Sequence, residues 1–360
     1  MNPSTTSKLL DTFEHSRDDM QTTLVVKLSA VRSFVLEDGA TYHSVEFENT
    51  YLSSIQFGVN CTVKNLRIKR SKLTHLPTSL HRLKDLNELS ITHSHIQVIN
   101  FNGISGLPGL QLLDLTKNKI HSVYCTPEKD FFPVLADMFL RENRLRNINV
   151  NLFNAMKVLE KIDLSHNPIS VLSGSLVSSG LHFLDLSHNR LQSVDCCSWK
   201  LPNVYSLLLT DNRFNSLPRC IEQAFANVTQ MDLSNNELYP SEMFVIGKLT
   251  KLYYLTLNNN KLTHLTLDER TIPKGLKYLG LGKNRLKHLA IPYIPNEETF
   301  IDVSLNCITS LDIDKVSPNL TKLVMAHNPL DCSFGTLFKE LNAKKVCKES
   351  ENKSCDLSET

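Results

Sequence analysis

The residues best equipped for chemistry in this chain are its nine cysteines. Two of them adjoin in Asp195-Cys196-Cys197-Ser198-Trp199, and a third follows in Leu217-Pro218-Arg219-Cys220. Thiols placed this way either cross-link neighbouring segments or ligate a soft metal. Structural zinc takes four ligands at short, fixed spacings. No second cysteine or histidine pair with that spacing accompanies these three, so neither a metal nor any other cofactor is expected. Oxidation remains, through a bridge from Cys196 or Cys197 to Cys220, with Cys196 the favoured partner. A second group closes the chain. Cys332 sits in Asn328-Pro329-Leu330-Asp331-Cys332, and Cys347 and Cys355 follow a short helical stretch at 336–341. That is the layout of a disulfide-closed cap joining Cys332 to Cys347. Two bridges leave an odd number of cysteines, hence a free thiol or an interchain bond, with Cys355 the leading candidate.

Catalytic arrangements are missing. Neither G-x-S-x-G, H-E-x-x-H, a P-loop nor a dinucleotide fingerprint occurs. Twelve glycines leave little material for phosphate-cradling loops. The chain is expected to have no catalytic residues and to bind rather than catalyse. His166 and His188 each precede an asparagine and could ligate a metal or titrate near neutrality. No third ligand is fixed beside them, and a solvated surface is the expected reading.

What positions these residues is a repeat. Leu184-Asp185-Leu186-Ser187-His188-Asn189-Arg190-Leu191 is an L-x-L-x-x-N-x-L phrase, and it recurs from about residue 42 to 332. Its asparagine position falls at Thr50, Ser71, Ser94, Asn118, Asn143, Asn167, Asn189, Asn212, Asn236, Asn260, Asn284, Asn306 and Asn328, at intervals of 21 to 25 residues. This is the leucine-rich repeat signature. One repeat cannot bury its apolar side alone, and stacking builds a parallel sheet over a continuous core. The fold expected is an α/β repeat: a leucine-rich repeat solenoid, or horseshoe, of about 13 repeats with an N-terminal cap and a disulfide-closed C-terminal cap. Residues 1–41 form a polar segment and a strand-rich N-cap, 42–330 the solenoid and 331–360 the cysteine-containing C-terminal cap. Leu184, Leu186, Leu191 and Val194 point inward, and Phe101, Phe153 and Phe225 fill the space behind the strands. The asparagine amide serves backbone groups that the ladder leaves unpaired. Thr50, Ser71 and Ser94 offer a weaker hydroxyl version, so the early turns should be less regular.

Alternation then exposes what lies between the leucines. Asp114, Asp163, Asp185, Asp232 and Asp302 make an acidic column. Lys72, Lys119, Arg144, Arg190, Arg213, Lys261 and Arg285 follow the asparagine position as a basic one. Either column could steer a protein ligand, and either could serve solubility alone. Phe139, Phe183, Tyr254, Tyr278 and Phe300 flank strand leucines on the solvent side, where aromatic anchors are enriched at binding surfaces. Tyr254 and Tyr278 share a column about 5 Å apart by strand spacing. With His166, His188, Asp163 and Asp185, these rings form the candidate partner-binding concave face.

Net charge of +2 with 21% charged residues gives no bulk signal for nucleic acid. No apolar run of about 18 residues is present to span a membrane. Residues 1–17 lack the apolar core of a signal peptide, so a signal was removed or the protein is cytosolic. The cysteine layout favours secretion, as do N-x-S/T sequons at Asn60, Asn227, Asn319 and Asn352, which mark those asparagines for glycosylation.

His327-Asn328-Pro329-Leu330-Asp331-Cys332, then Leu337-Phe338, then Val346-Cys347-Lys348 resembles the C-terminal cap of the mosquito leucine-rich immune proteins. The mid-chain cysteines bridging adjacent repeats are also similar to that family. The resemblance implies a secreted, circulating innate-immunity protein of haemolymph-like fluid. Its partner would be a complement-like thioester protein or another leucine-rich immune protein. Long members continue into a coiled coil and form disulfide-linked dimers. This sequence ends at Thr360 without a coiled coil and has only Cys355 after the cap, so it reads as a short member or a truncated form. Two other readings are the ectodomain of a leucine-rich cell-surface receptor and a cytosolic leucine-rich scaffold or inhibitor.

Overall fold

The computed structural model describes residues 13–18, 21–104, 106–125, 132–320 and 322–329. Its architecture is the expected leucine-rich repeat solenoid of about 13 turns. The chain divides into two units, Met1–Leu181 and His182–Thr360.

In the first unit, Phe13–Asp18 runs antiparallel to Gln21–Lys27. From there the ladder is parallel through Thr41–Glu48, Thr62–Lys69, Glu88–Thr92, Leu112–Asp114, Asp137–Phe139 and Lys161–Asp163. Leu24 and Val26 pair with Val45 and Phe47, so the parallel register already holds one turn ahead of residue 42. The early turns are more regular than their missing asparagines suggest: two of their strands run eight residues. Their β-branched and aromatic core residues, Val45, Phe47 and Ile68, are fully buried and favour extended backbone, and Leu66 is buried with them. Across the solvent face Arg67 bonds Glu46 at 3.0 Å and Glu88 at 2.5 Å. The hydroxyls are indeed the weaker device. Ser71 and Ser94 bond each other at 2.9 Å, while Thr50 Oγ1 is buried without a partner.

In the second unit the ladder is Phe183–Asp185, Ser206–Leu208, Gln230–Asp232, Tyr254–Thr256, Tyr278–Gly280, Phe300–Asp302 and Lys322–Val324. Leu184, Leu186, Leu191 and Val194 are buried, and so are Phe101, Phe153 and Phe225 in the return segments.

Two residues turn the chain after each strand. The first takes a left-handed backbone: His93, Lys117, Glu142, His166, His188, Asp211, Asn235, Asn259, Lys283 and Leu305 all have φ near +55°. Outside glycine this conformation costs roughly 1–2 kcal/mol, so something must repay it. The second residue does. Asn236 Nδ2 donates to Leu233 O and Leu209 O, both at 3.0 Å, while its Oδ1 accepts from Phe214 N at 3.0 Å. One amide thereby satisfies buried backbone in its own turn and in the turn before.

The mid-chain disulfide corrects one expectation. It joins Cys197, not Cys196, to Cys220, with Cα atoms 4.9 Å apart. Asp195 and Arg219 pair as a parallel bridge, which directs Cys196 into the core, 1% exposed, with its thiol donating to Arg219 O at 2.8 Å. Burial pushes that thiol up to about 12. The next residue, Cys197, faces outward to Cys220, whose left-handed backbone (φ 59°) precedes the helix Ile221–Ala224. Cys307 is also disulfide-bonded, whereas the expected pairing used only Cys332 and Cys347 at that end. Cys332, Cys347, Cys355 and the cap they would close lie outside the described residues.

Candidate protein-binding surface

In the second unit, Tyr254, Tyr278 and Phe300 occupy one column because their strands pair residue for residue. Alternation about Leu255, Leu279 and Ile301 turns all three rings to the solvent face. Tyr254 and Tyr278 stack at 4.7 Å between centroids and 11° between planes. Tyr278 and Phe300 stack at 5.6 Å and 4°. The result is a three-ring ladder, with Tyr254 40% exposed at one end. Burial pushes the Tyr278 phenol above its ordinary value, and Tyr254 and Asp302 add to the shift. Tyr278 therefore remains a neutral donor at physiological pH.

The ladder has a second row that sequence reasoning missed. Tyr205 and Tyr253 sit one residue earlier in their turns, exposed 49% and 37%. His182 stacks on Tyr205 at 5.9 Å, and Gln230 Nε2 donates to Tyr253 Oη. Their signal lies in the spacing: each falls two residues before the first strand leucine, one position outside the residues that flank it. Phe183, also half-buried in this unit, holds the equivalent position three strands away from Tyr254, with Ser206 and Gln230 between. Phe139 is in the first unit, with Lys161 Nζ 5.5 Å from its ring centre.

The acidic column has a local role. Asp114, Asp163, Asp185, Asp232 and Asp302 each accept a hydrogen bond from the backbone N–H two residues on, at 2.8 to 2.9 Å. These carboxylates shape the exit from each strand. Thr256 Oγ1 adds a 2.6 Å bond to Asp232 Oδ1. In the basic column, Lys261 is held by Glu237 at 2.6 Å. His166 and His188 occupy the left-handed position of their turns, and His188 Nε2 lies 3.5 Å from Asp211 Oδ2.

Among the sequons, Asn60 is exposed. Asn227 donates its amide to Pro202 O at 2.8 Å and Asn319 to Ile294 O at 3.0 Å. Asn352 lies outside the described residues. Among the described residues no group of three or more His, Cys, Asp or Glu is placed to hold a metal ion. No described helix is long and apolar enough to cross a membrane. The surface offers aromatic edges, phenol hydroxyls and carboxylates held in a fixed row. This is a recognition chemistry.

Comparison with known proteins agrees on the repeat. A leucine-rich repeat family model matches residues 61–120 and 133–191. Tsukushi-A of Xenopus laevis is 30% identical over 192 residues, 51% of this chain and 50% of that protein. Fibromodulin of Bos taurus is 30% identical over 172 residues, 46% of this chain and 44% of that protein. The chain thus spans about half the length of the curated relatives it matches. Among solved structures, one in the LRIM1/APL1C complex superposes with a TM-score of 0.60 at 18% identity, covering 94% of this chain and 68% of that one. Another, in the Drosophila Toll–Spatzle complex, gives 0.55 at 14% identity, covering 89% and 56%. At such identities the likeness is one of fold.

Proposed function

We propose that this leucine-rich repeat protein acts outside the cell as a non-enzymatic recognition protein of innate immunity, gripping a protein partner with the ring ladder of its second unit. The observation that carries this is the stack of Tyr254, Tyr278 and Phe300 on a strand face. Fixed aromatic side chains contribute large contact area at low conformational cost and dominate many interfaces. A disulfide between adjacent turns supports an oxidising compartment. On this reading the sequons at Asn60, Asn227, Asn319 and Asn352 carry glycans, Cys332 and Cys347 belong to a closed cap, and Cys355 is the thiol available to another chain.

The immune role rests on the resemblance of the ending to the mosquito leucine-rich immune proteins, and the fold shared with a chain of the LRIM1/APL1C complex is consistent with it. The partner proposed is a complement-like thioester protein or a second leucine-rich immune protein, met in a haemolymph-like fluid. The test is surface plasmon resonance of the secreted, disulfide-intact chain against a purified complement-like thioester protein. Tyr254→Ala with Tyr278→Ala should weaken binding by about tenfold or more, on the order of 1.4 kcal/mol or above, with the circular dichroism unchanged. Undiminished binding would move the site off the ladder, and no binding by the parent chain would exclude this partner.

A further inference from the structure

The ring ladder is flanked by two carboxylates whose spacing describes an occupant. Asp232, Thr256, Gly280 and Asp302 are paired neighbours on four successive strands. Three strand steps separate the two aspartates, about 14 Å. Between them the strip is built of short side chains. Thr256 turns its hydroxyl to Asp232 at 2.6 Å, and beside Gly280 the place of a Cβ is taken up by Asn258, whose Oδ1 would lie 3.1 Å away. Asn258 Oδ1 is fixed by Gly282 N at 2.7 Å. The result is a strip running across the strands, bordered by the three rings, with one carboxylate at each end.

Each carboxylate spends Oδ1 on the local turn, and neither Asp232 nor Asp302 makes a salt bridge among the described residues. Lys277, next in sequence to Tyr278, is paired with Glu298 at 2.7 Å. Because the rings are stacked on one another, their inner faces are closed and their edges are offered. That suits an apolar side chain better than a sugar ring, which needs an open aromatic face.

Resting on the reading of the ladder as a partner site, we propose that its occupant is an extended cationic segment of a protein, laid across the turns. Arginine or lysine at positions i and i+4 would meet Asp232 and Asp302, and an apolar residue at i+2 would meet the ring edges. An extended chain rises about 3.3 Å per residue and turns alternate side chains to one face. Four residues therefore cover about 13 Å, the span between the two carboxylates.

The test uses the full chain and two fluorescent peptides of about nine residues, long enough to span both carboxylates. One carries Arg-x-Leu-x-Arg and the other Glu-x-Leu-x-Glu. Fluorescence anisotropy at low salt should show the arginine peptide binding about tenfold tighter or better, with the preference shrinking as salt rises. Asp232→Asn with Asp302→Asn keeps an oxygen for the turn hydrogen bonds and removes both charges, so the fold persists while the preference disappears. Equal binding of the two peptides, or a preference that survives the double asparagine variant, overturns the proposal. The two readings fail separately. If the thioester protein needs Tyr254 and Tyr278 but the peptide preference is missing, only the cationic segment falls. If the preference holds while the thioester protein does not bind the parent chain, only the partner identity falls.

Discussion

A single left-handed residue followed by a buried amide returns the chain after most strands, and the first unit shows what happens when the amide is missing. His93 precedes Ser94, takes φ 51°, and has its Nδ1 buried without a hydrogen bond. Burial lowers its proton affinity below the ordinary 6.5, and Lys117, Arg70 and Lys69 add repulsion. Well above pH 6.5 the ring is neutral in both folded and unfolded chains and makes no contribution to pH dependence. Below it the unfolded chain takes up the proton first, so stability falls with pH. His93→Asn keeps a residue tolerant of the left-handed region and should flatten the decline in thermal midpoint between pH 6.5 and 5. An unchanged slope would assign the acid sensitivity to another group. The asparagines themselves were readable, since their spacing is the repeat. The cysteine pairing was readable too, but only by counting: Asn189 and Asn212 are separated by the same 23 residues as Cys197 and Cys220. Between two adjacent thiols the outcome turns on side-chain direction, which one residue of slip reverses.

At the level of elements, the strands follow from alternation, whereas the return segments follow from packing that the repeat phrase does not encode. The helix Met243–Ile246 is an example. It ends at Gly247, whose amide bonds Met243 O at 2.9 Å, and a Cβ there would collide with the carbonyl oxygen of Arg270 in the next turn. The obstacle is backbone, so it cannot rotate aside as a side chain would. Gly247→Ala should therefore cost on the order of 2 kcal/mol, within the range for overpacking a closed contact. Urea unfolding would show a lower midpoint, and a variant as stable as the parent would mean that the two segments part freely. The same distinction explains the acidic column. The five aspartates share one position of the repeat, and that position reflects a hydrogen bond that each carboxylate accepts from its own turn. Only Asp232 and Asp302 gain further meaning, from the rings beside them. In the first unit, Glu46–Arg67–Glu88 sets one guanidinium between two carboxylates across three strands. Glu46 and Arg67 share one position of the repeat, whereas Glu88 falls two residues earlier in its turn and is reached only across the strands.

The molecule as a whole inherits the one-dimensional character of its repeat: each turn packs on its neighbours, so a perturbation stays near where it is made. The Cys197–Cys220 bond is the sharpest test of this. It closes a loop of 23 residues, and cross-linking a loop of that length restricts the unfolded chain by about 3 kcal/mol in the chain-entropy account. In a globular domain such a loss would be spread over the whole core. Here the bond ties one turn to the next, beside Trp199 and Phe225, which meet edge-on at 6.2 Å. Replacing both cysteines by serine should therefore raise amide exchange across roughly residues 191–228 while Tyr254–Thr256 and Tyr278–Gly280 keep their protection. Binding at the ring ladder should also survive, because those turns have their own leucines, asparagines and hydrogen bonds. Uniform loss of protection through the second unit would instead mean that it unfolds as one cooperative body, with the disulfide as its staple. In that case partner affinity should fall in step with stability, and measuring the two on the same variant separates the alternatives.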